Sequence, residues 1–456
     1  MLSLFPHSIS LSLLGIALLA AATPLVHLPR AAPALRWGAC PSYNATALTT
    51  SPFPVVCANF TVPFDWNTTT AKDNPGSFVL TVGKIAATTN QSLGMIFVNP
   101  GGPGGSGVTL LLAPQILGLY NSTGGAFDIV SWDPRGVGFS APFDCFDDSS
   151  TAPGPFTFTS WYANLTNVGS LQAPSSGPNQ TDIDRFNANA NAFTRVAQPF
   201  YGHCQYTNNS AYLAGHVGAV ATMRDLVALA DAIDGTGKPI NYYGYSYGSV
   251  IGAYFVNLYP QRVGRVVVDG VENATEYTSS TTPKIFASSY SDADATLQGF
   301  LRECAESGPS GCALATTNST QGSLSDWISQ LIDDAYNYAS SNSTVNSLSI
   351  REFLGNLVEN PTSWNASAGQ LVQIRQALTA AMTGATPGGN TTTTTRRSQI
   401  LPRAVTIGRP SSFQTGEQAQ GNAFSAAVAV SCGDSILPMY SASEVFSDVA
   451  NTTLTM

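Results

Sequence analysis

The sequence predicts an α/β fold, a mainly parallel sheet flanked by helices and carrying an inserted helical cap. Three observations predict it. Short apolar runs alternate with helical patterns over the first 285 residues, the rhythm of strand–helix–strand units. Glycine-rich loops follow those runs at Asn99–Gly107 and Asp133–Ser140, and a sharp turn, Gly244-Tyr245-Ser246-Tyr247-Gly248, joins a strand to a helix. From about Tyr290 the texture changes to helical stripes without strands.

In chain order, Ile9–Leu19 is an apolar stretch too short to span a bilayer comfortably, and Ala20–Ala22 has the small-residue pattern of a cleavage site, so residues 1–22 read as a secretory signal. Its flank offers only His7 in place of the usual lysine or arginine. Residues 23–75 are rich in Pro, Thr and Asn and read as irregular. Ser77–Ile85 alternates like an edge or antiparallel strand, and Met95–Val98 is a continuous apolar run, as in a central strand. Phe127–Trp132 is the next strand, and residues 146–182 read as loop. Val217–Asp234 is a helix whose Val220, Met223, Leu226, Val227 and Ala230 share a face, closed by Gly235. Pro239–Tyr243 is a strand, Val250–Tyr259 a helix and Val263–Val268 a strand.

Beyond these, Leu324, Trp327, Ile328, Leu331, Ile332 and Ala335 form one helical stripe. Leu371, Ile374, Leu378 and Ala381 form another. Ser349 and Glu352 read as a capping box for a helix running through Leu357. Gly388–Thr395 is a low-complexity surface loop. The expected organisation is a signal at 1–22, a sheet domain at 23–285, a helical cap at 286–425, and the start of a further segment at 426–456.

The chain of 456 residues carries a net charge of −9 with only 10% charged residues, so no basic groove is available for nucleic acid or an anionic membrane. Fourteen Asn-x-Ser/Thr strings, from Asn44 to Asn451, predict N-glycans on an extracellular, secreted chain. Seven cysteines in such a chain imply disulfides with one left over. Proximity pairs Cys40 with Cys57 and Cys304 with Cys312. Cys145 with Cys204 is a plausible third pair, leaving Cys432 alone.

A serine between two glycines on a strand-to-helix turn is the nucleophile elbow of the α/β-hydrolase fold. Ser246 is therefore the expected nucleophile, placed at a helix N-terminus that favours a nearby negative charge. Acyl transfer also needs two backbone N–H groups facing the developing oxyanion. Tyr247, after the nucleophile, supplies one. The loop Gly101–Gly105 supplies the other, from Gly101 or Gly102. The loop lacks the Gly-Lys-Ser/Thr ending of a phosphate-binding loop, and no acidic residue follows in dinucleotide register. Neither a cofactor nor a metal is expected.

Asn99-Pro-Gly-Gly-Pro-Gly-Gly-Ser-Gly107, Asp133-Pro-Arg-Gly-Val-Gly-Phe-Ser140, Gly-Tyr-Ser246-Tyr-Gly and Arg262–Gly270 together resemble the tripeptidyl aminopeptidase branch of the prolyl-aminopeptidase-like serine peptidases. The resemblance runs from about Cys40 to Asp434, where Ala429–Asp434 is similar to the start of that branch's C-terminal segment. It implies an α/β-hydrolase fold with a helical cap and release of short peptides from substrates with free N-termini. It also assigns the nucleophile to Ser246 and the oxyanion hole to Tyr247 with Gly101 or Gly102, and makes the Asp133/Arg135 loop a brace. An esterase or lipase on the same nucleophile, or a non-catalytic binding protein, are the alternatives.

The resemblance fails at the base. The triad order is Ser, then Asp or Glu, then His, yet the four histidines, His7, His27, His203 and His216, all precede Ser246. Asp269 and Asp434 follow it, outside the late strand-to-loop context the family uses. The triad Asp and His are thus expected to lie beyond Met456, the chain being a C-terminally truncated form of a longer hydrolase, with the unpaired Cys432 in keeping. Glu272, just past a strand end, is the candidate for holding a substrate amine.

Overall fold

The computed structural model describes residues 35–41, 53–68, 76–89, 91–143, 145–146, 156–169, 172–206, 214–279, 290–338 and 345–383. The expected signal at 1–22, the loop 388–395, Cys432 and the segment 426–456 lie outside them. Six strands form one sheet: β1 (Val55–Pro63), β2 (Ser77–Ile85), β3 (Met95–Asn99), β4 (Asp128–Trp132), β5 (Ile240–Tyr245) and β6 (Val263–Asp269), in the order β1-β2-β4-β3-β5-β6. β1 pairs β2 and β2 pairs β4 antiparallel, while β4, β3, β5 and β6 run parallel. This order, with its antiparallel start, an elbow after β5 and helices on both faces, is an α/β-hydrolase fold.

The central strands are largely apolar because both faces are covered. In β3, Phe97 and Val98 are buried, and in β4 the run Ile129–Trp132 is buried throughout. One face packs under α1 (Gly107–Leu112) and α2 (Ile116–Ser122), where Leu110, Leu111, Ile116 and Leu119 meet Ile85, Val98 and Ile129. The other face carries α6 (Ala219–Asp234) and α7 (Tyr247–Leu258) through Met223, Leu226, Leu229, Val250, Ile251 and Phe255. α6 buries the face read from the sequence, apart from Val220, which is half-buried.

Three expectations are corrected. Residues 23–75 are not irregular throughout, because β1 is a nine-residue strand in full register with β2, tied by the disulfide Cys40–Cys57. Its buried Phe60 and Val62 alternate with exposed Asn59 and Thr61, a period-2 pattern hidden among the threonines and asparagines around it. Residues 146–182 are not simply loop, because they contain α3 (Phe158–Gly169) and the start of α4 (Gln180–Ala188), which leads into α5 (Ala190–Tyr206). An aromatic cluster of Phe146, Phe158, Trp161 and Phe200 holds α3 against α5.

The third correction concerns the helix through Leu357. It runs Ser347–Glu359, and its capping box is Asn346 with Ser349, not Ser349 with Glu352. The Asn346 side chain accepts the Ser349 N–H, while the Ser349 hydroxyl oxygen accepts the Asn346 N–H in return. An asparagine caps as well as a serine does, so the helix starts three residues earlier than expected, and Ile350, Phe353, Leu354 and Leu357 are buried along it.

After α8 (Ala274–Ser279) come α9 (Ala293–Gly311), α10 (Gln321–Tyr338), α11 (Ser347–Glu359) and α12 (Trp364–Thr383), which share a second core of their own. Of the two predicted stripes, Leu324, Ile328, Leu331, Ile332 and Ala335 are buried in α10, and Leu371, Ile374 and Leu378 in α12. The disulfide Cys304–Cys312 closes the end of α9. Cys145 is disulfide-bonded as well, and Cys204 falls among side chains outside the described set.

Candidate active site

The loops after β3, β4, β5 and β6 all leave the carboxyl edge of the parallel strands, and Ser246 follows β5 there, as the N-cap of the next helix. Its backbone has φ 52° and ψ −122°, a region that serine rarely occupies and one associated with functional turns. The turn is held from three sides. Ser246 N–H donates to the Asp269 carbonyl at 2.9 Å, fastening the elbow to the end of β6. The Ser249 hydroxyl donates to the Ser246 carbonyl at 2.6 Å and accepts the Glu272 N–H at 2.9 Å. The buried Tyr242 hydroxyl donates to the Gly248 carbonyl at 2.8 Å, and burial pushes that phenol well above its ordinary pKa.

The two elbow glycines are required by close approach. A Cβ on Gly244 would collide with the Gly248 carbonyl, and one on Gly248 would stand 2.8 Å from the Asn99 carbonyl. The serine side chain does not cap its own helix, and among the described residues its hydroxyl makes no hydrogen bond.

The loop Gly101–Gly105 lies directly against this turn. A Cβ on Gly101 would strike the Tyr245 carbonyl and come within 2.9 Å of both Ser246 Cβ and Tyr247 N. Sequence could not choose between Gly101 and Gly102 as an oxyanion donor. The Gly101 N–H is engaged, donating to Asn99 Oδ1 at 2.9 Å. Gly102 is exposed and its N–H meets no acceptor among the described residues. Tyr247 opens α7, with its ring packed on Tyr277.

The Asp133/Arg135 loop is a brace, built around two fully buried side chains. Arg135 binds both oxygens of Asp225 on α6, at 2.6 and 2.7 Å, and also donates to the carbonyls of Pro63, Phe64 and His216. The Trp66 indole donates to Asp225 as well, at 2.8 Å. Burial raises the Asp225 carboxyl above its usual range, against the pull of Arg135 and Trp66. Sequence reasoning gave Asp225 no part, since its helical position shows only one polar residue on an apolar face.

No described histidine stands beside Ser246. His216 precedes α6, with its carbonyl bound to Arg135 and its ring 6.1 Å from that of Phe64, at the β1 end of the sheet. β1 and β5 are four places apart in the strand order, roughly 19 Å at the usual ~4.8 Å spacing. His7 and His27 lie outside the described residues, as does the side chain of His203.

Asp269 ends β6 and accepts the Tyr243 hydroxyl at 3.0 Å. Burial and that bond raise the Tyr243 pKa. Glu272 is half-buried, with its backbone on Ser249. Towards the cap, the Tyr290 hydroxyl donates to Glu359 at 2.8 Å and is pushed up to about 12, by burial first and then by Glu359, with Glu272 contributing. Among the described residues no cluster of metal-ligating side chains is present, and no helix is long and apolar enough to cross a membrane.

No family model matches the chain. It is 32% identical over 225 residues to a tripeptidyl aminopeptidase of Streptomyces lividans, covering 49% of this chain and 36% of that one. It is 28% identical over 243 residues to the serine protease Hip1 of Mycobacterium bovis, covering 53% and 40%. Carboxylesterase B of Mycobacterium tuberculosis is 36% identical over 118 residues, covering 25% and 21%. The matched stretches span well under half the length of these relatives, which by name are a tripeptidyl aminopeptidase, a serine protease and a carboxylesterase.

Proposed function

We propose that this chain is a serine hydrolase that works through an acyl-enzyme on Ser246, with an aminopeptidase-type preference for peptides bearing a free N-terminus. The observation that carries the reading is the strained Ser246, its hydroxyl without a hydrogen bond among the described residues, placed against the glycine loop. Ser246 attacks the carbonyl carbon, and the N–H groups of Tyr247 and Gly102 take the oxyanion. Gly102 replaces the pair Gly101/Gly102, because the Gly101 N–H already has an acceptor. A serine with no adjacent base is a weak nucleophile at neutral pH. Among the described residues the one histidine side chain, His216, stands away from Ser246, so on this reading turnover without an adjacent base is slow, on the order of the 10³–10⁴ over water that remains when triad members are deleted.

The peptidase preference draws on the relatives named tripeptidyl aminopeptidase and serine protease. On this reading Glu272 holds the substrate ammonium. The match to a carboxylesterase supports a second reading, an esterase on the same nucleophile. The chain is further proposed to be secreted and N-glycosylated, with two disulfides in keeping.

Hydrolysis of peptide anilides with free and acetylated N-termini, compared with simple acyl esters, tests the reading. Slow cleavage of the free-amine anilide that disappears in Ser246→Ala supports the aminopeptidase. Cleavage confined to esters supports the esterase. Activity that survives Ser246→Ala refutes both.

A further inference from the structure

The oxyanion loop is made almost wholly of glycine and proline, Pro100-Gly-Gly-Pro-Gly-Gly105. Such a sequence has no side chains with which to hold its own shape, and glycine carries the largest backbone entropy to be lost on ordering. A hydrogen-bond donor for an oxyanion must nevertheless be fixed before the reaction, within about 0.5 Å of its working position. Within the loop one bond is evident, from Gly105 N–H to the Gly101 carbonyl at 3.1 Å. The remaining constraint comes from two buried side chains outside it.

Asn99, 1% exposed at the end of β3, grips the entry by accepting the Gly101 N–H. Its own carbonyl lies against Gly248, so the residue that sets the loop also touches the elbow. Asp133, fully buried at the end of β4, grips the exit. Asp133 Oδ1 accepts the Ser106 hydroxyl at 2.6 Å and the Val108 N–H at 3.1 Å, and Oδ2 accepts the Phe139 N–H at 2.9 Å. Ser106 in turn accepts the Thr109 N–H at 3.0 Å, capping α1. The carboxylate thereby fastens the first residue after the loop and the first turn of α1 to the neighbouring strand end. Gly102 lies between the two grips, the exposed residue of the pinned arch.

We infer that Asn99 and Asp133 are positioning residues of the oxyanion site, fixing the Gly102 N–H against Ser246 from the two ends of the glycine loop. They touch neither substrate nor nucleophile side chain, and act through the backbone they hold. The inference rests on the serine-hydrolase reading and deepens it. It gives two residues outside the elbow a share in stabilising the transition state.

The test is the kinetics of phosphonylation of the full chain by an alkyl fluorophosphonate, followed by intact mass, in the parent protein and in Asn99→Ala and Asp133→Asn. The probe's phosphoryl oxygen develops charge at the same donors as an acyl oxyanion. Three quantities are read: the labelled fraction at completion, the maximal labelling rate and the half-saturating probe concentration. Loss of one oxyanion donor typically costs 10²–10³ in rate, so each variant should label about 100-fold more slowly at an unchanged half-saturating concentration. A purely structural role would lower the labelled fraction and leave the rate of the folded molecules as it was. Parent-like maximal rates in both variants overturn the inference while leaving the hydrolase reading standing. A parent protein that does not label at Ser246 overturns the reading itself, and the inference with it.

Discussion

At Ser246, φ 52° puts a side chain into backbone space that costs about 1–3 kcal/mol. The bonds to Asp269, Ser249 and, through Gly248, to Tyr242 offset that strain, which explains the tyrosine and second serine around the elbow. The elbow was legible in the sequence because glycines two residues either side of a serine are a steric demand. Asn99 was not, since an asparagine at a strand end shows no chemistry until the fold brings its oxygen to the Gly101 N–H, and Asp133, read only as part of a bracing loop, reveals its hold on Ser106, Val108 and Phe139 only in the fold. Glu272 can be judged at this same scale. If it holds the substrate ammonium, Glu272→Gln removes one charge-assisted bond worth about 1.5–3 kcal/mol. The expected outcome is an increase in KM of roughly 10–100-fold for free-amine peptides, with kcat and ester hydrolysis little changed. Equal effects on acetylated and free peptides would remove Glu272 from amine recognition.

Among the elements, the strands read most reliably where both faces are buried, as in β3 and β4, and least where the strand lies at the edge, as in β1. β6 is also an edge among the described residues, pairing only with β5 and leaving Val267 and Val268 exposed. The helices α3 to α5 escaped notice because their apolar stripes are aromatic and interrupted by asparagine, glycine and Pro199. α11 shows how a cap residue decides an element. Its Glu352, read as a capping partner, is instead half-buried on the helix, and burial raises its carboxyl above the usual range. A carboxyl whose folded pKa exceeds its unfolded one keeps its proton longer when folded, so stability falls as pH rises from the unfolded value through the folded one. Glu352→Gln should therefore raise Tm at pH 7, and the gain should shrink as pH falls towards 4. A gain that grows on acidification would contradict this account of Glu352.

For the whole molecule, the sheet domain and the cap helices are joined by more than the chain between β6 and α9. The segment before α4 runs along the cap. Ser175 donates twice to Asp333 at 2.7 and 2.9 Å, Ser347 donates to Gln172 at 2.8 Å, and Tyr336 donates to the buried Asp182 at 2.7 Å. Residues that read as loop are thus part of what carries the cap, a role no local pattern reveals because its partners lie more than 150 positions away. The sheet domain is centred on Arg135 and Asp225, which tie the β4 loop, the end of β1 and α6 together. Asp225→Ala would leave the guanidinium buried without its carboxylate, a loss of about 3–5 kcal/mol. Urea unfolding should show that loss, and a change under 1 kcal/mol would mean the pair is not the brace described here.

The central claim is that the fold presents Ser246 as a nucleophile facing backbone donors. Its most direct measurement is peptide mapping of the chain after prolonged exposure to a fluorophosphonate. The account predicts slow, stoichiometric modification of Ser246 alone, absent in Ser246→Ala and absent after denaturation. Modification spread over other serines, or none at Ser246, would contradict it and leave a hydrolase fold that binds without reacting.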